Sequence, residues 1–140
     1  MLRQVAVGVV AGIAFLILDG VLHANPLAQR LYAPYQVIAR PSVNALAGSA
    51  IDLAFGVVLV VLFVTLRDSL PGRSRATKAL SFGLLVWFLR VCMRVAGEWV
   101  MTVVPVQAHV YALGAGLIQM LIVAGIIALL LPEAQRPRTA

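Results

Sequence analysis

Four apolar runs account for most of this 140-residue chain, and each has about the 20 residues that cross roughly 30 Å of hydrocarbon as a helix. They are roughly Leu2–Leu22, Gly48–Leu66, Ala79–Val103 and Ala108–Leu131. With 62% hydrophobic and 11% charged residues, the chain lacks the polar surface that would cover a soluble core. The expected fold is an all-α membrane protein: four transmembrane helices in an antiparallel bundle, forming a single domain over residues 1–140. Residues 132–140 read as a polar, disordered cytoplasmic tail after Pro132.

The net charge of +6 does not point to nucleic acid, because the basic residues flank the apolar runs instead of sharing a soluble face. Arg3 precedes the first run, Arg67, Arg73, Arg75 and Lys78 separate the second from the third, and Arg136 and Arg138 follow the fourth. The opposite side has only Arg30 and Arg40. By the positive-inside rule both termini are expected in the cytoplasm of a bacterial inner membrane. The basic rim also suits anionic lipid. The lipid bilayer is thus the first partner, and no cofactor is expected.

The first run exceeds a signal peptide's apolar region, and its exit, VLHANP, lacks a clear cleavage site, so it reads as a retained helix. Residues 23–47 form the longest loop, broken by Pro26, Pro34 and Pro41, with Tyr32 and Tyr35 suited to the headgroup level. Short interfacial helices over the periplasmic mouth are expected there. Gly8/Gly12 and Gly48/Gly56 make small-residue stripes that permit close helix contact. Four short helices enclose little volume, so these stripes are read as contact faces of a homo-oligomer or of a larger membrane complex. Cys92 has no partner for a disulfide and reads as a small core residue.

Charges inside the apolar runs point to function. Arg90, Arg94 and Glu98 are spaced four and four, which puts them on one face of a continuous helix. Each charge at the bilayer centre costs about 2.5–3.5 kcal/mol on insertion scales, so partners are required. At about 1.5 Å per residue, Asp19, Asp52 and Glu98 all fall roughly 8–10 Å toward the outer side of their helices. Arg90 falls near mid-span, with Gln119 near its level, and His23, His109 and Trp99 stand at the same outer mouth.

Several readings fit this set. One is an ion-pair network that only decides which helices touch. Another is a pocket open to the periplasm, built from Asp19, Asp52, Arg90, Arg94, Glu98 and Gln119, in a transporter- or channel-like protein for a proton, an ion or a small anionic solute. A metal site from Asp19, His23, Asp52, Glu98 and His109 is the weakest, because two arginines beside it repel a cation. As whole proteins, a non-catalytic membrane subunit or assembly factor and a small enzyme for a lipid-soluble substrate are the alternatives. In size and helix count the chain resembles the MAPEG glutathione transferases, but RPSVN at residues 40–44 lacks that family's His and Glu. No motif of a hydrolase or a phosphate-binding loop is present.

Overall fold

The computed structural model describes residues 1–37, 42 and 44–131. Helix α1 spans Leu2–His23 and α2 spans Pro26–Tyr32, followed by a 3-10 turn over Ala33–Val37. Helix α3 spans Ala45–Leu66, and α4 spans Arg75–Trp87. A π-helical turn, Phe88–Cys92, leads into α5 over Met93–Met101, and α6 spans Val106–Leu130. Four helical stretches are long and apolar enough to cross a membrane: Leu2–His23, Ala45–Leu66, Arg75–Met101 and Val106–Leu130. Among the described residues there is no strand.

The helix limits differ from the apolar runs at positions where polar residues cap them. Helix α3 begins at Ala45, not Gly48, because the Asn44 side chain accepts from the Ala47 amide. Helix α4 begins at Arg75, not Ala79, because Ser74 and Thr77 form a capping box. Thr102 is extended and ends α5, three residues before Pro105, a proline that biases the residue preceding it away from helix. In the first loop, Asn25 caps α2 and Pro26 occupies its first turn. The rest of the expected loop structure, including Arg40 and Pro41, and the tail with Pro132, Arg136 and Arg138 lie outside the described residues.

Helix α1 packs chiefly on α3, α4 chiefly on α6, and the two pairs meet where α1 touches α6. Glycine sets the first contact. A methyl group on Gly8 would lie 2.7 Å from the Val57 Cα, and one on Gly12 would lie 2.7 Å from the Leu53 Cα. Gly56 sits directly against the Gly8 and Gly12 backbone. The stripe therefore serves a contact within the chain, while Gly48 has open space beside it. Phe63 of α3 and Phe82 of α4 meet edge to face at 5.1 Å, carrying the core across to the second pair. Phe15, Leu59, Val60, Met120, Val123 and Ile127 fill the centre. The outward faces stay apolar, with Val5, Ile17, Val61, Leu89 and Leu129 among the exposed side chains, which is the surface hydrocarbon would cover.

The basic end is tied to the last turn of α6. Arg3 donates to the Leu130 carbonyl at 3.1 Å and Arg75 to the Leu129 carbonyl at 3.4 Å. Both guanidinium groups thus sit where a helix leaves its carbonyls unsatisfied and its dipole is negative. Lys78 donates to the Arg67 carbonyl at 2.6 Å, and Gly72 makes the turn before α4 at a φ of +103°.

Candidate functional site

The opposite end holds most of the membrane-embedded polar groups. The Asp19 carboxylate lies 3.3 Å from His23 Nδ1, one turn later on α1. It also lies within electrostatic reach of Arg90. Gln119 is buried and donates to the Phe15 carbonyl at 3.2 Å, which fixes α6 to α1 at this level. Asp52 of α3 faces the same charges, Asp19 and Arg90. Helices α1, α3 and α6 and the π turn all contribute to this inner group.

Arg90 is held by aromatic faces. Its guanidinium carbon lies 4.5 Å from the centre of the Phe15 ring and 3.9 Å from that of Phe55. Such stacking is worth about 2 kcal/mol when desolvated. Among the described residues, no carboxylate comes within 4.0 Å of it and no acceptor lies within hydrogen-bond distance.

Arg94 belongs to a second, outer group. Its guanidinium pairs with Glu98 Oε1 at 2.6 Å, and the Tyr35 hydroxyl donates to Glu98 Oε2 at 3.1 Å. Tyr32 joins the two groups. Its ring stacks on His23 at 5.8 Å and meets Tyr35 and Tyr111 edge to face at 5.9 Å and 6.0 Å. Asn25 then locks this layer to the protein. Its amide donates to the Tyr111 oxygen and the Leu22 carbonyl, each at 2.7 Å, and Tyr111 donates to the same Leu22 carbonyl.

The segment expected to present Arg90, Arg94 and Glu98 on one helical face contains a π turn, Phe88–Cys92, that includes Arg90. A π turn inserts extra backbone into the helix and rotates the turns beyond it. Arg90 lies against Phe15 of α1 and Phe55 of α3, while Arg94 and Glu98 pair with one another beside Tyr35 of the first loop. Two expected mouth residues differ in exposure. Trp99 is 65% exposed and points outward. His109 is buried, and among the described residues neither ring nitrogen has a hydrogen-bond partner. The five-residue metal alternative is not assembled: among the described residues no three His, Cys, Asp or Glu side chains could hold a metal. Glu98 is taken by Arg94 and Tyr35, and Asp19 by His23.

Residues missed from sequence are those that hold the charges. Phe15 precedes Asp19 by four positions and Phe55 follows Asp52 by three, so both share a helical face with an acid, a signal open to inspection. Tyr35, Tyr111 and Asn25 carry no such signal, since their partners are distant in the chain. A groove of about 360 Å³ lined by Leu31, Val106, Gln107, Val110 and Tyr111 contains none of the charged residues.

The tyrosines outside the spans give a pH signature. Burial raises the Tyr32 phenol above its ordinary value, against the pull of Arg94. Burial, then the Glu98 carboxylate, raises that of Tyr35. Phenols held neutral in the folded protein ionise first in the unfolded chain, so stability falls as pH climbs past about 10. A Tyr32→Phe/Tyr35→Phe variant is expected to show a shallower alkaline loss. Thermal melting between pH 8 and 11 checks this, and parallel curves for the two proteins would contradict it.

Comparison with protein-family models, curated proteins and solved structures gives no match to this chain.

Proposed function

We propose that this is a small multi-pass inner-membrane protein whose charged intramembrane pocket opens to the periplasm. In this reading it acts as a transporter- or channel-like protein for a proton, an ion or a small anionic solute. The four spans form an antiparallel bundle with both termini cytoplasmic, and α2 with its 3-10 turn lies over the periplasmic mouth. Support for the orientation comes from Arg3, Arg67, Arg73, Arg75 and Lys78 on one side against Arg30 and Arg40 on the other.

The observation that carries the reading is the state of Arg90. A guanidinium set against two phenyl rings, within electrostatic reach of two carboxylates but paired with neither, is a poor structural staple. A staple gains from close, hydrogen-bonded pairing, and unpaired charge in low dielectric is costly. A pocket that admits water or solute accounts for the gap. Arg94 and Glu98, paired at 2.6 Å, then serve as the rim.

The test is flux in vesicles reconstituted with the whole chain, under an imposed proton or anion gradient. Neutralising the inner group singly, with Asp52→Asn or Arg90→Gln, is expected to cut flux about tenfold or more, the effect of losing one charge-assisted contact. Flux unchanged in both variants would reject the reading.

A second reading, a membrane subunit of a larger complex, is favoured by α3. That helix buries only 22% of its most apolar window and leaves Gly48 open. Native mass spectrometry of gently solubilised membranes separates the two: reproducible hetero-partners support the subunit, and a lone homo-oligomer opposes it.

A further inference from the structure

We infer that the solute taken by this pocket is a small zwitterion, with its anionic group on Arg90 and its cationic group toward Asp52. The inference rests on the pocket reading above and narrows it. It starts from which groups lack partners. A guanidinium has five donors around its edge and none on its faces. Phe15 and Phe55 lie against the Arg90 guanidinium, with its carbon 4.5 Å and 3.9 Å from the ring centres, and phenyl rings accept no conventional hydrogen bond from its edge. Among the described residues nothing accepts from that edge. Asp52 is in the same position with the opposite sign. It lies within electrostatic reach of Arg90 and Asp19, yet no donor among the described residues reaches it. Asp19, by contrast, already holds His23 at 3.3 Å.

The pocket therefore lacks one acceptor at Arg90 and one donor at Asp52, across a gap wider than 4.0 Å. A simple anion would fill the first place and set a further negative charge beside two carboxylates. A simple cation would fill the second and stand beside a guanidinium. A molecule that carries both signs satisfies both places and adds no net charge. Arg90 is also well placed to select the shape of the anionic group, because its fork bonds carboxylate in two places and is already oriented by the rings. The space between short helices restricts the solute to a small one.

The experiment is equilibrium binding to the purified full chain in lipid nanodiscs. The probes are L-alanine and β-alanine, with propionate and propylammonium as singly charged comparators. At neutral pH one of the two amino acids is expected to bind about tenfold or more tightly than either comparator. Asp52→Asn is expected to abolish that preference while propionate binding is kept or improved, a gain that misfolding cannot produce. Arg90→Lys is expected to weaken both the amino acids and propionate. Propionate binding as tightly as the amino acids would overturn the inference in favour of an anion site. Binding of none of the four probes, in a protein whose Asp52→Cys and Arg94→Cys forms react with a water-borne thiol reagent, would overturn the zwitterion and leave the pocket standing. Absence of both binding and reaction would remove the pocket as well.

Discussion

Gly56→Ala is expected to separate α1 from α3 and to cost about 3 kcal/mol, the upper end of what overpacking costs in a fixed core. The added methyl group would collide with the backbone of Gly12 and Gly8, not with a side chain that can turn away. The helices can only move apart, and the contacts of Gly8 with Val57 and of Gly12 with Leu53 are lost together. In hydrocarbon no solvent-driven force compensates, since lipid wets apolar side chains as well as a neighbouring helix does. The melting temperature in detergent should drop by about 10 °C. Gly48→Ala is the control: its methyl group meets nothing within 4 Å, and the melting temperature should hold or rise slightly. Equal behaviour of the two variants would contradict the described α1–α3 packing.

Arg90→Met is expected to cost about 2–4 kcal/mol, although it places a flexible apolar side chain in an apolar setting. Replacing a whole buried ion pair by hydrophobic residues is often neutral, because all the charges leave together. Here only the cation leaves. Asp19 and Asp52 remain within reach of one another, and the stacking on Phe15 and Phe55 is lost. Arg90→Lys keeps the charge and is expected to recover most of the stability. A melting temperature for Arg90→Met equal to the starting protein would show that the two carboxylates do not need this cation.

The four spans are legible in the sequence because about 20 apolar residues in a row have few other uses. Their edges are not, since Asn44 and Ser74 extend α3 and α4 into polar sequence by capping. Depth along each helix puts Asp19, Asp52 and Glu98 at one outer level with Arg90 and Gln119 nearer mid-span, whereas the structure has Asp19 and Asp52 within electrostatic reach of Arg90 and Glu98 on Arg94 and Tyr35. What depth cannot supply is rotation. FLRVC contains neither Pro nor Gly, so nothing in it announces the π turn that holds Arg90. For the same reason depth alone groups Trp99 with the mouth, although its side chain faces outward. Tyr35 reaches Glu98 across 63 positions of sequence, a distance over which residue spacing has no hold.

A pocket in this protein requires, above all, that water reach the inner group. The most direct measurement is thiol labelling in intact cells, with Asp19, Asp52, Arg94 and Glu98 replaced singly by cysteine in a Cys92→Ala background. A membrane-impermeant reagent applied from outside should label all four positions, and Asp52→Cys is the decisive one because it lies in the inner group beside Arg90. A folded, inserted protein that resists labelling at all four would show a dry ion network, contradict the pocket, and turn the assignment toward a membrane subunit.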